Sequence, residues 1–133
     1  MSLQEPRICI IDDNVAVCES LKFLLDSLYS ITINIYHNPL LFLQEFSKDW
    51  QGCLIIDLFM PSLNGIDLVK ELKIRDNKMS IIIISGHGTA NAAEQSLRAG
   101  ASMFIKKPFK MDLLIEKLNT ILQFNNSPSM PAS

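Results

Sequence analysis

Five polar side chains stand at or just past the ends of short apolar runs. Asp12 and Asp13 follow Ile8-Cys9-Ile10-Ile11, Asp57 follows Cys53-Leu54-Ile55-Ile56, Ser85 follows Ile81-Ile82-Ile83-Ile84, and Lys107 comes shortly after Met103-Phe104-Ile105. If these runs are strands of an open α/β sheet, ligands bind at their carboxyl ends, and all five groups meet on one edge. Two like charges about 5 Å apart repel by roughly 3 kcal/mol at an effective dielectric of about 20. Three carboxylates gathered on that edge therefore call for a cation. An all-oxygen site with few protein ligands suits Mg²⁺, a hard ion that keeps several waters, with Mn²⁺ as its substitute. Lys107 adds a fixed positive charge and Ser85 a hydroxyl. A metal, an ammonium and a hydroxyl around one carboxylate are the parts needed to hold a dianion beside it. A phosphoryl group fits that description, because Mg²⁺ and lysine neutralise its oxygens during transfer. The carboxylate is then the nucleophile and the product an acyl phosphate.

Each of these residues has a plainer reading when taken alone. An aspartate at a strand end commonly caps a turn or a helix. Ser85 precedes Gly86 and suits a turn, and Lys107 is one of two adjacent lysines of the kind that usually sit in solvent. What favours the chemical reading is the conjunction: the right residue types, at the right strands, in the right order.

The elements that must position them alternate along the chain. After Asp12, Val17, Leu21, Leu24, Leu25 and Leu28 recur at helical spacing. Ile31 to Tyr36 alternates with period two and is β-branched, so it reads as a strand. Asn38-Pro39 reads as an N-cap and first helical residue of a short helix to about Ser47. Asn64 caps a helix carrying Leu68, Val69 and Leu72. The run Ile81–Ile84 is apolar on both faces, as in a central strand of a covered parallel sheet. Thr89 to Ala99 is a weaker helix closed by Gly100, and residues 110–124 form an amphipathic helix with Leu114, Leu118, Ile121 and Leu122 facing inward. Strict strand–helix alternation with short links implies a parallel sheet with helices on both faces. The domain is expected to occupy residues 1–124. Residues 125–133 are polar and proline-containing, as in a linker or disordered tail.

Composition agrees with that organisation. A length of 133 residues argues for one domain, and 48% hydrophobic with 20% charged residues excludes intrinsic disorder. The formal charge of −2 argues against a direct nucleic-acid footprint. No apolar run approaches the roughly 20 residues of a membrane span, so no membrane partner is expected. Met1 to Arg7 carry no apolar stretch behind a basic start, so no secretory signal is expected. Cys9, Cys18 and Cys53 give an odd count without a C-x-x-C, and read as small buried hydrophobes in a reducing cytoplasm.

Taken together, five segments resemble the receiver domain of two-component response regulators, nearest to the FixJ/NarL and NtrC types. They are Ile10-Ile11-Asp12-Asp13-Asn14, Ile55 to Gly65 around Asp57, Ile83-Ile84-Ser85-Gly86-His87-Gly88, Ala99-Gly100-Ala101 and Phe104-Ile105-Lys106-Lys107-Pro108-Phe109. The match runs over about residues 6–123. The resemblance implies a flavodoxin-like, doubly wound (βα)5 fold with strand order 2-1-3-4-5. It implies that Asp57 accepts a phosphoryl group from a phosphohistidine of a sensor histidine kinase. It also implies that Asp13 ligates Mg²⁺ directly, that Asp12 helps through water, and that the Phe59 carbonyl completes the metal site. Ser85 and Lys107 bind phosphoryl oxygens, and the Lys107–Pro108 peptide is cis. Ser85 and Phe104 form the switch, acting on the face made by the fourth helix, fifth strand and fifth helix. Phe59 and His87 occupy positions that border the path of hydrolytic water; Phe59 suits shielding, while His87 suits either orienting water or a plain loop position. His37, after the second strand, is taken as structural.

Other functions stay in play at this point. A degenerate receiver serving only docking or dimerisation would lack an acceptor, an acid or the lysine, and none is lacking. A flavodoxin-like cofactor binder wants a phosphate-cradling loop where Asp12-Asp13-Asn14 stands. A haloacid-dehalogenase-type phosphatase wants an aspartate where Phe59 stands. The receiver reading implies no turnover enzyme. It implies an output partner outside this chain, a DNA-binding effector being one form, with a stand-alone receiver and a kinase fusion as the others. A phosphorylation-dependent homodimer is a further candidate partner.

Overall fold

The computed structural model describes residues 5–86 and 90–122. Five strands and five helices alternate along the chain: β1 (Pro6–Ile11), α1 (Val15–Leu28), β2 (Thr32–Tyr36), α2 (Pro39–Glu45), β3 (Gln51–Asp57), α3 (Gly65–Ile74), β4 (Ser80–Ser85), α4 (Ala90–Ala99), β5 (Met103–Lys106) and α5 (Met111–Leu122). All pairings are parallel and the strand order is β2-β1-β3-β4-β5. This is the flavodoxin-like, doubly wound arrangement expected of the sequence.

Period-two alternation along the strands divides the core in two. Cys9, Ile11, Leu54, Ile56, Ile81 and Ile83 face one side, where Phe42 of α2, Leu68, Val69 and Leu72 of α3, and Ala99 of α4 cover them. Ile8, Ile10, Ile33, Cys53, Ile55, Ile82, Ile84 and Ile105 face the other, under Cys18, Leu21 and Leu25 of α1 and Leu114 and Leu118 of α5. The three central strands are thus apolar on both faces because helices cover both. All three cysteines are buried free thiols; burial pushes the Cys9 thiol up to about 12 and raises that of Cys53 as well.

The helix ends follow their local chemistry. Asn14, Asn38 and Asn64 each cap a helix, accepting backbone N–H bonds from Val17, Leu40 and Asp67. Gly100, at φ 130°, closes α4: its N–H donates to the Leu97 carbonyl and that of Ala101 to the Ser96 carbonyl, the paired bonds of a Schellman cap.

Three expectations shift. The buried stripe of α1 is Cys18, Leu21 and Leu25, while Val17 and Leu28 are 37% and 50% exposed. The helix is rotated so that Val17 and Leu24 border a cleft rather than the core. β3 begins at Gln51, two residues before the apolar run, because Gly52 pairs with Arg7 through backbone alone. A Cβ on Gly52 would stand 2.0 Å from the Arg7 carbonyl oxygen, and its φ of 119° suits glycine. The Arg7 guanidinium lies 4.1 Å from the centre of the Trp50 ring. Finally, α2 stops at Glu45 rather than near Ser47.

Candidate functional site

The chain order reverses between β1 and β3, so the crevice of this sheet lies where those two strands end. Asp12 and Asp13 leave β1 there and Asp57 ends β3. The three aspartates offer carboxylate oxygens within 4.8 Å of one another. Asp12 is buried, Asp57 half-buried and Asp13 exposed, so the group opens to solvent on the Asp13 side. Lys107 Nζ stands 4.0 Å from Asp57 Oδ1, close enough to attract it and too far for a hydrogen bond. Ser85, the last residue of β4, is fully buried. Its carbonyl accepts the Lys107 N–H at 2.8 Å, which ties the lysine's backbone to the strand end. The Lys107–Pro108 peptide is cis. Lys106, its exposed neighbour, pairs in register with Ser85.

The loop after Asp57 is held by backbone bonds. The Leu58 N–H donates to the Ile84 carbonyl at 2.9 Å, and the Gly65 N–H donates to the Leu58 carbonyl at 2.8 Å. A Cβ at Gly65 would come within 2.9 Å of the Asp57 carbonyl oxygen and 3.0 Å of the Leu58 Cα. Only glycine lets the start of α3 press so closely on that loop. Phe59 is 54% exposed, and Phe104 is partly buried against the core on the α2–α4 side. His87 lies outside the described residues, as does the tail beyond Leu122.

Electrostatics follow from the crowding. Burial, and then the neighbouring Asp12 carboxylate, push the Asp57 carboxyl up to about 6, against the pull of Lys107. Burial likewise raises the Asp12 carboxyl, opposed by the Asn14 N–H, which donates to its Oδ1 at 2.9 Å. Burial and then the aspartates push the nearby Cys18 thiol up to about 11. These are carboxylates short of positive charge. An all-oxygen, net-negative donor set of this kind fits a hard divalent cation.

Two residues of the site were not singled out by their types. The Asp12 carbonyl accepts from His37 Nδ1 at 3.1 Å and from Cys18 Sγ at 3.3 Å. Beside the carboxylates, a cleft of about 460 Å³ runs between α1 and the β5–α5 connection, lined by Ala16, Val17, Leu24, Phe109 and Met111 and reaching Asp57 and Lys107.

The family model of the response regulator receiver domain matches residues 8–119. The chain belongs to that family. Among curated relatives, the response regulator protein TodT of Pseudomonas putida is 34% identical over 123 residues, covering 92% of this chain and 54% of the relative. The transcriptional regulatory protein FixJ of Bradyrhizobium diazoefficiens is 34% identical over 117 residues, covering 88% and 57%. The crystal structure of FixJ-N superposes with a TM-score of 0.78 at 30% identity, covering 98% of this chain and all of that one. The receiver thus spans about half the length of the curated relatives it matches. Receivers are signalling domains rather than turnover enzymes, and phosphorylation and Mg²⁺ are typical of the family. No described helix is long and apolar enough to cross a membrane.

Proposed function

We propose that this receiver takes a phosphoryl group from the phosphohistidine of a sensor histidine kinase onto Asp57, and that the change controls an output carried elsewhere. The observation that carries this reading is the Asp12–Asp13–Asp57 cluster facing the Lys107 ammonium at the switch point of the sheet. Asp12, Asp13, Asp57 and the carbonyl of Phe59 would hold Mg²⁺, or Mn²⁺ in its place, with Asp13 as the direct ligand and Asp12 acting through water. When bound, the metal supplies charge neutralisation for the incoming phosphoryl oxygens. Asp57 is the nucleophile: its oxygen forms the O–P bond as the donor's N–P bond breaks and the imidazole leaves. With its carboxyl titrating near 6, Asp57 is still largely ionised at neutral pH and able to attack. Lys107 reaches one phosphoryl oxygen, and the Ser85 hydroxyl donates to another.

Ser85 and Phe104 lie on adjacent strands, with Phe104 opposite Ile83 in register. Movement of the Ser85 hydroxyl toward the phosphoryl group frees space that the Phe104 ring enters, and the α4–β5–α5 face changes shape. That face would carry a phosphorylation-dependent homodimer or an effector contact. The output would be an effector outside this chain, with control of transcription as the form that the relative named as the transcriptional regulatory protein FixJ favours. The setting is cytoplasmic. Neither a docking-only degenerate receiver nor a phosphatase gains support: acceptor, acids and lysine are all in place, and Phe59 stands where a phosphatase needs its second aspartate.

The test is intact-mass spectrometry with a small acyl-phosphate donor and Mg²⁺. One alkali-labile phosphoryl addition is expected on the wild type and none on Asp57→Asn. The same addition on the mutant would place the acceptor elsewhere.

A further inference from the structure

We infer that His37 is a positioning residue for the Asp13 carboxylate, acting through the backbone of Asp12; the inference rests on the metal-binding reading above. Every polar group of Asp12's backbone is engaged. Its N–H donates to the Tyr36 carbonyl at 3.1 Å. Its carbonyl accepts from the His37 ring and the Cys18 thiol. That carbonyl belongs to the peptide unit that joins Asp12 to Asp13, so fixing its direction fixes the point from which the Asp13 side chain departs. A carbonyl only accepts, so the facing ring nitrogen must carry a proton, and His37 is the Nδ1–H donor.

The geometry sets the two donors apart in strength and reach. The thiol comes from α1, the helix that begins just after the acidic pair, and is a weak donor. The imidazole comes from the connection between β2 and α2, and is the stronger one. His37 and Tyr36 together thus couple the exit of β2, an edge strand, to the acidic turn after β1. Asp13, the exposed member of the carboxylate group, has most to lose from a turn left free to rotate.

Three variants test this: His37→Leu removes the donor, His37→Asn returns an amide N–H near the place of Nδ1, and Cys18→Ala removes only the weaker bond. Calorimetric titration with MgCl₂ reads metal affinity. His37→Leu is expected to weaken binding about five- to tenfold, the size of one net hydrogen bond, with His37→Asn recovering most of it and Cys18→Ala losing about twofold or less. The melting temperature of metal-free His37→Leu should stay within about 5 °C of wild type, since His37 lies outside the core and loses one hydrogen bond. The Asp13 side-chain carboxyl ¹³C signal in metal-free protein reads the positioning itself: it should move or broaden in His37→Leu and return in His37→Asn. An unmoved Asp13 signal in His37→Leu overturns the inference, as does Mg²⁺ affinity within twofold of wild type. If wild type binds no Mg²⁺, the metal reading fails, and the metal-free Asp13 signal alone decides whether His37 sets the turn.

Discussion

The two faces of the sheet are built to different ends. On the α2–α4 side, Phe42 is fully buried and its ring meets Tyr36 at 5.2 Å, Phe46 at 5.8 Å and Trp50 at 6.2 Å. On the α1–α5 side, the helices are joined at one end, where the Tyr29 hydroxyl donates to Asn119 Oδ1 at 2.6 Å. At the other end they part around a cleft of about 460 Å³ beside Asp57. Interiors are close-packed, so a cleft that deep marks a place where packing has been given up for access. Both faces carry a buried core, but only the α1–α5 side opens a cleft toward Asp57.

Truncation should separate the two faces. Phe42→Ala empties a fully enclosed site and is expected to cost about 3–5 kcal/mol in denaturant melts. A cost under about 1 kcal/mol would show that the ring cluster contributes little to stability.

The acidic edge should behave in the opposite sense. The Asp57 carboxyl titrates at about 6 in the fold against 3.8 as its ordinary value. The folded state therefore binds the extra proton between those values, and stability falls as pH rises through that window. Asp57→Asn removes the loss. Metal-free Asp57→Asn should be more stable than wild type at pH 7.5 by about 1–3 kcal/mol, with the gain fading toward pH 4. Added Mg²⁺ should narrow the gap by stabilising wild type, with its third carboxylate, more than the variant. Coincident metal-free melts at pH 7.5 would contradict the electrostatic account.

Cleft-lining side chains should matter less than core ones. Leu24→Ala exposes little that was not already beside open volume, so a loss of about 1 kcal/mol or less is expected; a loss matching Phe42→Ala would mean that the cleft closes in solution. Surface pairs come last. Lys22 Nζ and Asp26 Oδ2 are 2.7 Å apart but both side chains are over one-third exposed, so Lys22→Ala should shift stability by no more than about 0.5 kcal/mol.

The order of elements was legible because three strands are continuous apolar runs ending in a polar residue, and because Asn38 and Asn64 mark two helix starts. The start of β3 was not, since Gly52 joins the sheet through backbone geometry that carries no hydrophobic signal. The α1 stripe was misjudged at Val17 and Leu28, both exposed: Val17 and Cys18 are both apolar, and only packing against the sheet selects Cys18. Asp12, Asp13, Asp57, Ser85 and Lys107 could be gathered from sequence because a parallel sheet brings strand ends together. His37 and Cys18 could not, because what they contact is a backbone carbonyl, and no side-chain pattern announces that.

The stack of Arg7 on Trp50 has a practical consequence. Trp50 is the sole tryptophan of the chain and stands just before β3, the strand whose far end is Asp57. At about 3.3 Å per residue, roughly 23 Å of chain separates Trp50 from Asp57. Its emission is therefore a gauge of the ring cluster beneath α2, quenched or restored as that cluster loosens or closes. An unfolding experiment followed by fluorescence will see this protein well. A ligand titration followed the same way will be nearly blind, and a silent indole in such a titration says nothing about whether the carboxylates have been filled.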